Sequence, residues 1–401
     1  MMTAAHSMLE RLNARLERLQ AHPFHHARLP SRVESLAEFA ERVPTMTRAD
    51  LVAEMSRPGY GAFRPHVPPV RVNLTPMGAA LVPVLQSAAD LRAIEAACGR
   101  HLDACGVGPG DVCLVTFGYH LFVAGLFYQS QMEARGVACI PHGPGETERA
   151  ADIARRCGVT VLAANPSHAL KLLDAGCPAP RVFFAGGEPF TSNPALYRRV
   201  RDAMPDTLLV DSYALSECLP VARTFPGGDG LHVLDALLYA EVIDPETGAP
   251  VPEGTRGELV LTHLAKELQP LVRYRTGDLT VLRTTDPVHG HTVSLPHSVF
   301  GRTDTMVKAK GVKVYPSELR RLLDGVEAAT GRYRLVVSRK AGGGDHLLFQ
   351  IEHGAVDAPD ASLVDAIGAR FRQRTLVAAD RVEFVAALDG DQIVKDTRSD
   401  A

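Results

Sequence analysis

The chain has no long apolar run, and no stretch of it could span a bilayer. It also lacks a charge excess: 43 Lys and Arg stand against 46 Asp and Glu, a net charge of −3. Without a basic field there is no electrostatic footprint for nucleic acid. No Cys-x-x-Cys pair occurs. The cysteines, Cys98, Cys105, Cys113, Cys139, Cys157, Cys177 and Cys218, are odd in number, which favours reduced, mostly buried thiols over a disulfide framework. The opening stretch MMTAAHSMLERLNARLERLQAHPFHHARL has helix-period apolar residues broken by charges, but no apolar signal core. Internal repeats and low-complexity segments are absent. These absences lead us to expect a cytoplasmic protein with neither a membrane nor a nucleic-acid partner.

What is present is ordinary in bulk and specific in pattern. Hydrophobic residues make up 46% and charged residues 22%, as in a common globular chain, and 401 residues suggest two or three domains. Residues 1–55 read mostly as helices, and the Pro-rich residues 56–76 as irregular. Residues 86–106 have helical spacing. Strand and helix signals then alternate: strands at 111–117, 137–142, 159–165, 181–187 and 207–213, helices at 121–135, 145–158, 166–176 and 193–204. That alternation implies βαβ units and a parallel sheet covered on both faces. From about residue 230, strands joined by turn chemistry suggest a β-rich lobe. From Gly301 the pattern becomes two short strands around Gly311, a helix capped by Ser317, two further strands, a helix over 361–374 and a strand over 381–387. The fold expectation is therefore α/β: an N-terminal domain over 1–300 with a helical start, βαβ core and β-rich lobe, and a small α+β domain over 301–401.

Polar residues concentrate in four segments, each at a strand end or turn, where open α/β sheets collect functional groups. They are FAGGEPF (184–190), DSYALSECLP (211–220), YRTGD (274–278) and GRTDTMVKAKGVKVYPSEL (301–319). Taken singly, each has a bland explanation, since Gly-rich turns and solvated carboxylates are common. In this order and spacing they resemble the acyl-adenylate-forming enzymes, and within them the phenylacetate–CoA ligase branch. The resemblance covers roughly residues 70–395.

That resemblance implies ATP, Mg²⁺ and coenzyme A as cofactors and a nucleotide site of known plan. Gly186, Gly187, Glu188 and Pro189 would wall the adenine, and Tyr213 would stack on it. Asp278 would accept the ribose hydroxyls, with Arg302 adding a ribose or phosphate contact. Ser216 would reach the α-phosphate, and Glu217 would hold Mg²⁺, a hard cation that prefers oxygen. Asp304 would lie near the hinge of a mobile C-terminal domain. Tyr119, His120, Phe122 and His168 match positions lining the acyl pocket, and the two histidines hint at a polar ring substituent.

The sequence departs from the family pattern in three places. The phosphate loop should fall at VNLTPMGAALVPV (72–84), which keeps Thr75 and Gly78 but has no Lys. The C-terminal Gly-Lys is replaced by Gly390-Asp391, and Lys395 is the nearest lysine. Where many relatives bind structural zinc through cysteines, this chain has His232, His289 and His291, and zinc is not expected. The reading is an ATP-dependent ligase for a small aromatic carboxylic acid, passing the acyl group to CoA or to a carrier-protein thiol, amine or hydroxyl. The resemblance and the frequency of two-fold oligomers suggest a homodimer. The alternative is a non-catalytic or regulatory homologue that binds a nucleotide or acyl-adenylate.

Overall fold

The computed structural model describes residues 4–77, 80–303, 307–310, 312–314, 316–340, 345–354, 360–375, 377–390 and 392–398. The chain divides into two compact units: residues 1–192, 196–276 and 280–299 in one, and residues 193–195, 277–279 and 300–401 in the other.

The first unit opens on helices α1 (Ala4–Leu19), α2 (Leu36–Arg42) and α3 (Arg48–Met55). Next comes an antiparallel hairpin, β1 (Arg71–Met77) with β2 (Ala80–Gln86). Here the expectation of irregular chain through residue 76 is corrected. Pro76 and Pro83 made the segment look broken, but each strand of a two-stranded sheet has a free edge, where Pro is tolerated. Helix α4 (Ala88–Ala104) starts on a capping box: the Ser87 side chain accepts from Asp90 N, and Asp90 accepts from Ser87 N at 2.9 Å.

The βαβ series follows, with β3 (Val112–Val115), α5 (Ala124–Glu133), β4 (Ala138–Pro141), α6 (Thr147–Cys157), β5 (Val161–Ala164), α7 (Pro166–Asp174), β6 (Val182–Ala185), α8 (Pro194–Ala203) and β7 (Leu208–Leu215). Strands β8 (Cys218–Arg223), β9 (Leu231–Val233), β10 (Leu238–Ile243), β11 (Arg256–His263), β12 (Tyr274–Val281), β13 (Arg283–Val288) and β14 (His291–Leu295) complete the unit. Nine strands form one sheet in the order β13-β14-β9-β8-β7-β6-β5-β3-β4. From β4 to β7 the pairs are parallel, and from β7 to β9 antiparallel. The parallel strands VLAA and VFFA are buried throughout, as expected of a sheet covered on both faces. From β3 the chain goes first to β4 on one side and then to β5 on the other. That reversal is a topological switch point, and ligands of such sheets bind at the carboxyl ends of the strands there.

The second unit has its own apolar core, built from Leu335, Val337, Leu347, Phe349, Ile351, Ile367 and Phe371. Strand β15 (Gly301–Arg302) pairs with Asp278 and Leu279 of β12, and β16 (Val307–Ala309) pairs with β17 (Val312–Val314). A four-stranded sheet has β18 (Ala329–Arg339) and β19 (Asp345–His353) at its centre, flanked by β21 (Val394–Asp396) and β20 (Arg381–Val385). Helix α9 (Ala361–Thr375) packs Ile367 and Phe371 into that core. The helix expected from Ser317 is a tighter 3₁₀ segment, Pro316–Leu323.

Candidate functional site

In the first unit the sequence-selected residues follow the ends of neighbouring strands. Tyr119 and His120 follow β3, His168 follows β5, the Gly186–Pro189 turn follows β6, and Tyr213 sits in the last turn of β7 before Ser216 and Glu217. The β6 turn is tied to the start of α7. Asn165 Nδ2 donates to the Gly186 carbonyl at 3.1 Å, and Glu188 Oε1 accepts from Ser167 N at 2.5 Å. Gly187 has φ +81°, and a Cβ there would sit 2.5 Å from Asn165 Nδ2, so the turn requires Gly. Gly186 is buried, whereas Gly187 and Pro189 are exposed. The turn is also held from below. Asp211 of β7 accepts from Thr191 N at 3.0 Å and from the Thr191 hydroxyl at 2.5 Å, and burial pushes its carboxyl pKa up.

Glu217 is the most constrained of the predicted residues. It is buried, and its Oε1 accepts the Tyr274 phenol at 2.8 Å. Tyr274 is itself enclosed, and burial together with the Glu217 charge raises its pKa, so the phenol remains a donor. The Tyr274 phenol is the one donor to this carboxylate among the described residues. Among those residues no group of three His, Cys, Asp or Glu could hold a metal ion. A Mg²⁺ at Glu217 would therefore share one carboxylate with phosphate oxygens, which is how this ion is commonly held.

Sequence reasoning missed Lys266. Its Nζ donates to the Glu217 carbonyl at 3.2 Å. Lys266 and Ser216 line one cavity of about 20 Å³, together with Gln86, Asp90 and His263. No motif marks this lysine; its relation to Glu217 arises only when β11 and β7 are folded. The two arginines of RYRTGD turn out to be structural. Arg273 pairs with Glu241 at 3.2 Å and donates to the Ala40 and Val43 carbonyls, and Arg275 pairs with Glu258 at 2.5 Å. Arg273 adopts φ +45°, so it turns the strand as well as anchoring it.

The 72–84 segment is a hairpin. Thr75 is buried opposite Val82, and Val72 and Leu81 are exposed; Gly78 lies outside the described residues. In the acyl-pocket set, Tyr119 and His168 are half-buried. The Tyr119 hydroxyl and His168 Nε2 are buried atoms without a hydrogen-bond partner among the described residues. Burial raises the Tyr119 pKa and lowers that of His168. His120 and Phe122 are exposed. His232 is buried, and neither ring nitrogen has a hydrogen-bond partner among the described residues. His291 pairs with Asp235 at 3.1 Å, and His289 meets the Pro226 carbonyl at 3.3 Å.

In the second unit, Arg302 Nη1 donates to Asp278 Oδ1 at 2.5 Å across the β12–β15 register pair. Gly277, at φ +76°, makes room: a Cβ there would meet Arg302 Nη2 at 2.9 Å. Lys395 is exposed on β21, opposite Val336. Asp304 and Asp391 lie outside the described residues.

The AMP-binding enzyme family model matches residues 91–264. The chain is similar to phenylacetate-coenzyme A ligases. It is 33% identical over 254 residues to the phenylacetate-coenzyme A ligase of Escherichia coli, covering 60% of this chain and 56% of that protein. To the Thermus thermophilus enzyme of the same name it is 32% identical over 262 residues, 63% of this chain and 58% of that one. The chain thus spans between half and two thirds of the length of these relatives. Its fold is similar to a solved 2-hydroxyisobutyryl-CoA ligase in the postadenylation state with 2-HIB-AMP. That match has a TM-score of 0.81 at 26% identity and covers 98% of this chain and 90% of the other. The chain shares the large parallel-containing sheet of that ligase. No described helix is long and apolar enough to cross a membrane.

Proposed function

We propose that the protein activates a small aromatic carboxylic acid with ATP and passes the acyl group to coenzyme A or a biosynthetic acceptor. A carboxylate oxygen bonds to the α-phosphorus, the bond from that phosphorus to the bridging oxygen breaks, and pyrophosphate leaves. The acceptor's sulfur, nitrogen or oxygen then bonds to the acyl carbon, AMP leaves, and the acceptor's proton passes to solvent.

The observation that carries this reading is Glu217. Its carboxylate is buried at the carboxyl end of the parallel sheet, held on one oxygen by Tyr274. A buried carboxylate needs a compensating cation or donors, and Mg²⁺ with a nucleotide phosphate is what the family plan provides. Such an ion would offset charge on the phosphates. Tyr213 would face the base and Ser216 the α-phosphate. Asp278, oriented by Arg302, would accept from the ribose, and Lys395 would serve as the C-terminal lysine. The unpartnered Tyr119 hydroxyl and His168 Nε2 favour an acid with a polar ring substituent, because leaving them unpaired is unfavourable. Incubation with ATP, Mg²⁺ and a hydroxy- or aminobenzoate should yield an acyl-adenylate detectable by mass spectrometry. Tighter binding of plain benzoate than of its hydroxy or amino derivatives would sink the substrate assignment.

A further inference from the structure

We propose that Lys266 is a phosphate-binding residue of the nucleotide site, supplying the cation that the 72–84 segment does not carry. This rests on the adenylation reading and extends it to a residue outside the recognised motifs.

Three observations converge. First, place: Lys266 Nζ is 3.2 Å from the carbonyl oxygen of Glu217, and the lysine shares a cavity wall with Ser216, the proposed α-phosphate contact. That cavity has room for about one water. Second, anchoring: the chain beyond Lys266 is fixed to the elements that flank the missing loop lysine. Asp90 of α4 accepts from Glu267 N at 2.5 Å and Leu268 N at 3.2 Å. Gln269 donates to the Pro83 carbonyl at 2.9 Å and accepts from Leu85 N at 3.2 Å, both on β2. Lys266 therefore rides on a backbone bolted to the hairpin and to the α4 cap. Third, charge: among the described residues Lys266 has no carboxylate within ion-pair distance, and its one hydrogen bond uses one of three donors. The bland alternative is a solvated surface lysine. Half-burial argues against it. A half-buried ammonium with two unused donors can take up an anion. Hairpin residues 71–86, RVNLTPMGAALVPVLQ, contain no lysine to compete for that role.

The test compares AMP with adenosine by calorimetry, using wild type, Lys266→Met and Lys266→Arg. Adenosine lacks only the phosphate, so the affinity ratio isolates the contact. The ratio should fall about tenfold or more in Lys266→Met, as for loss of a charged hydrogen bond. Adenosine affinity should stay unchanged, and Lys266→Arg should recover most of the ratio. An unchanged ratio in Lys266→Met overturns the proposal and leaves the adenylation reading standing. Failure of the wild type to bind either ligand overturns both. Should Lys266→Met not fold, acetylation of the wild type settles the matter. AMP, but not adenosine, should protect Lys266 from acetic anhydride, and equal labelling with both ligands rejects the contact.

Discussion

Tyr274 and Glu217 illustrate how one hydroxyl decides the state of a buried acid. Without the phenol, the buried carboxylate loses the one donor it has among the described residues. Tyr274→Phe should therefore cost about 1.5–3 kcal/mol at the site. We expect pyrophosphate exchange to fall by roughly ten- to a hundredfold, with adenosine binding retained. Unchanged exchange would remove Glu217 from the nucleotide chemistry. Arg223 poses the opposite case. It is fully buried against the rings of Phe127, Tyr128 and Phe184 at 5.5–6.0 Å, and none of its side-chain nitrogens has a hydrogen-bond partner among the described residues. The aromatic faces offset only part of the desolvation. Arg223→Met should raise the thermal midpoint, and a lowered midpoint would mean that the charge is compensated. Motifs exposed Glu217 and the Asp278–Arg302 pair before the fold was known. They could not distinguish Tyr274, which serves Glu217, from Arg273 and Arg275, which brace the backbone, because those partners lie far away in sequence.

Between elements, Asp90 joins the start of α4 to the segment after β11. It caps α4 through Ser87 N and accepts from Glu267 N and Leu268 N. Ser87→Ala removes one side of the capping box and should destabilise by about 1 kcal/mol. Asp90→Ala should cost more, because it also leaves two backbone donors unpaired at about 1–3 kcal/mol each. Denaturant unfolding of the two variants checks the order, and equal losses would show that solvent satisfies the 267–268 donors. The alternation of strand and helix signals made the βαβ series legible, since period-2 and helical spacing differ sharply. The β1–β2 hairpin was hidden because its prolines imitate loop composition. Lys266 was hidden because its role depends on β11 leading to a turn fastened on β2 and α4.

For the whole molecule, buried neutral histidines should set the acid limit. His25 and His101 are almost fully enclosed, and burial pulls each from 6.5 to about 3. Between those values the unfolded chain binds the protons and the native chain does not. Stability is therefore complete above about pH 6.5 and falls as pH drops toward 3, by up to ~1.4 kcal/mol per pH unit for each histidine. Denaturation midpoints measured from pH 7 to pH 4 should decline accordingly, and His101→Gln should flatten the slope. A flat profile in the wild type would mean that these rings open to water. At this scale the sequence disclosed an α/β core followed by a smaller α+β unit, because composition and periodicity change along the chain. It could not disclose the acid, which depends on how Tyr119 and His168 meet a substrate.

The measurement that bears most directly on the account is pyrophosphate exchange into ATP with Mg²⁺, across hydroxy- and aminobenzoates, phenylacetates and cinnamates. We predict exchange dependent on one class of acid, strongest with a polar substituent on the ring and reduced in Tyr274→Phe. Silence across the panel, with AMP binding intact, would contradict adenylation and make this chain a nucleotide-binding homologue that no longer activates an acid.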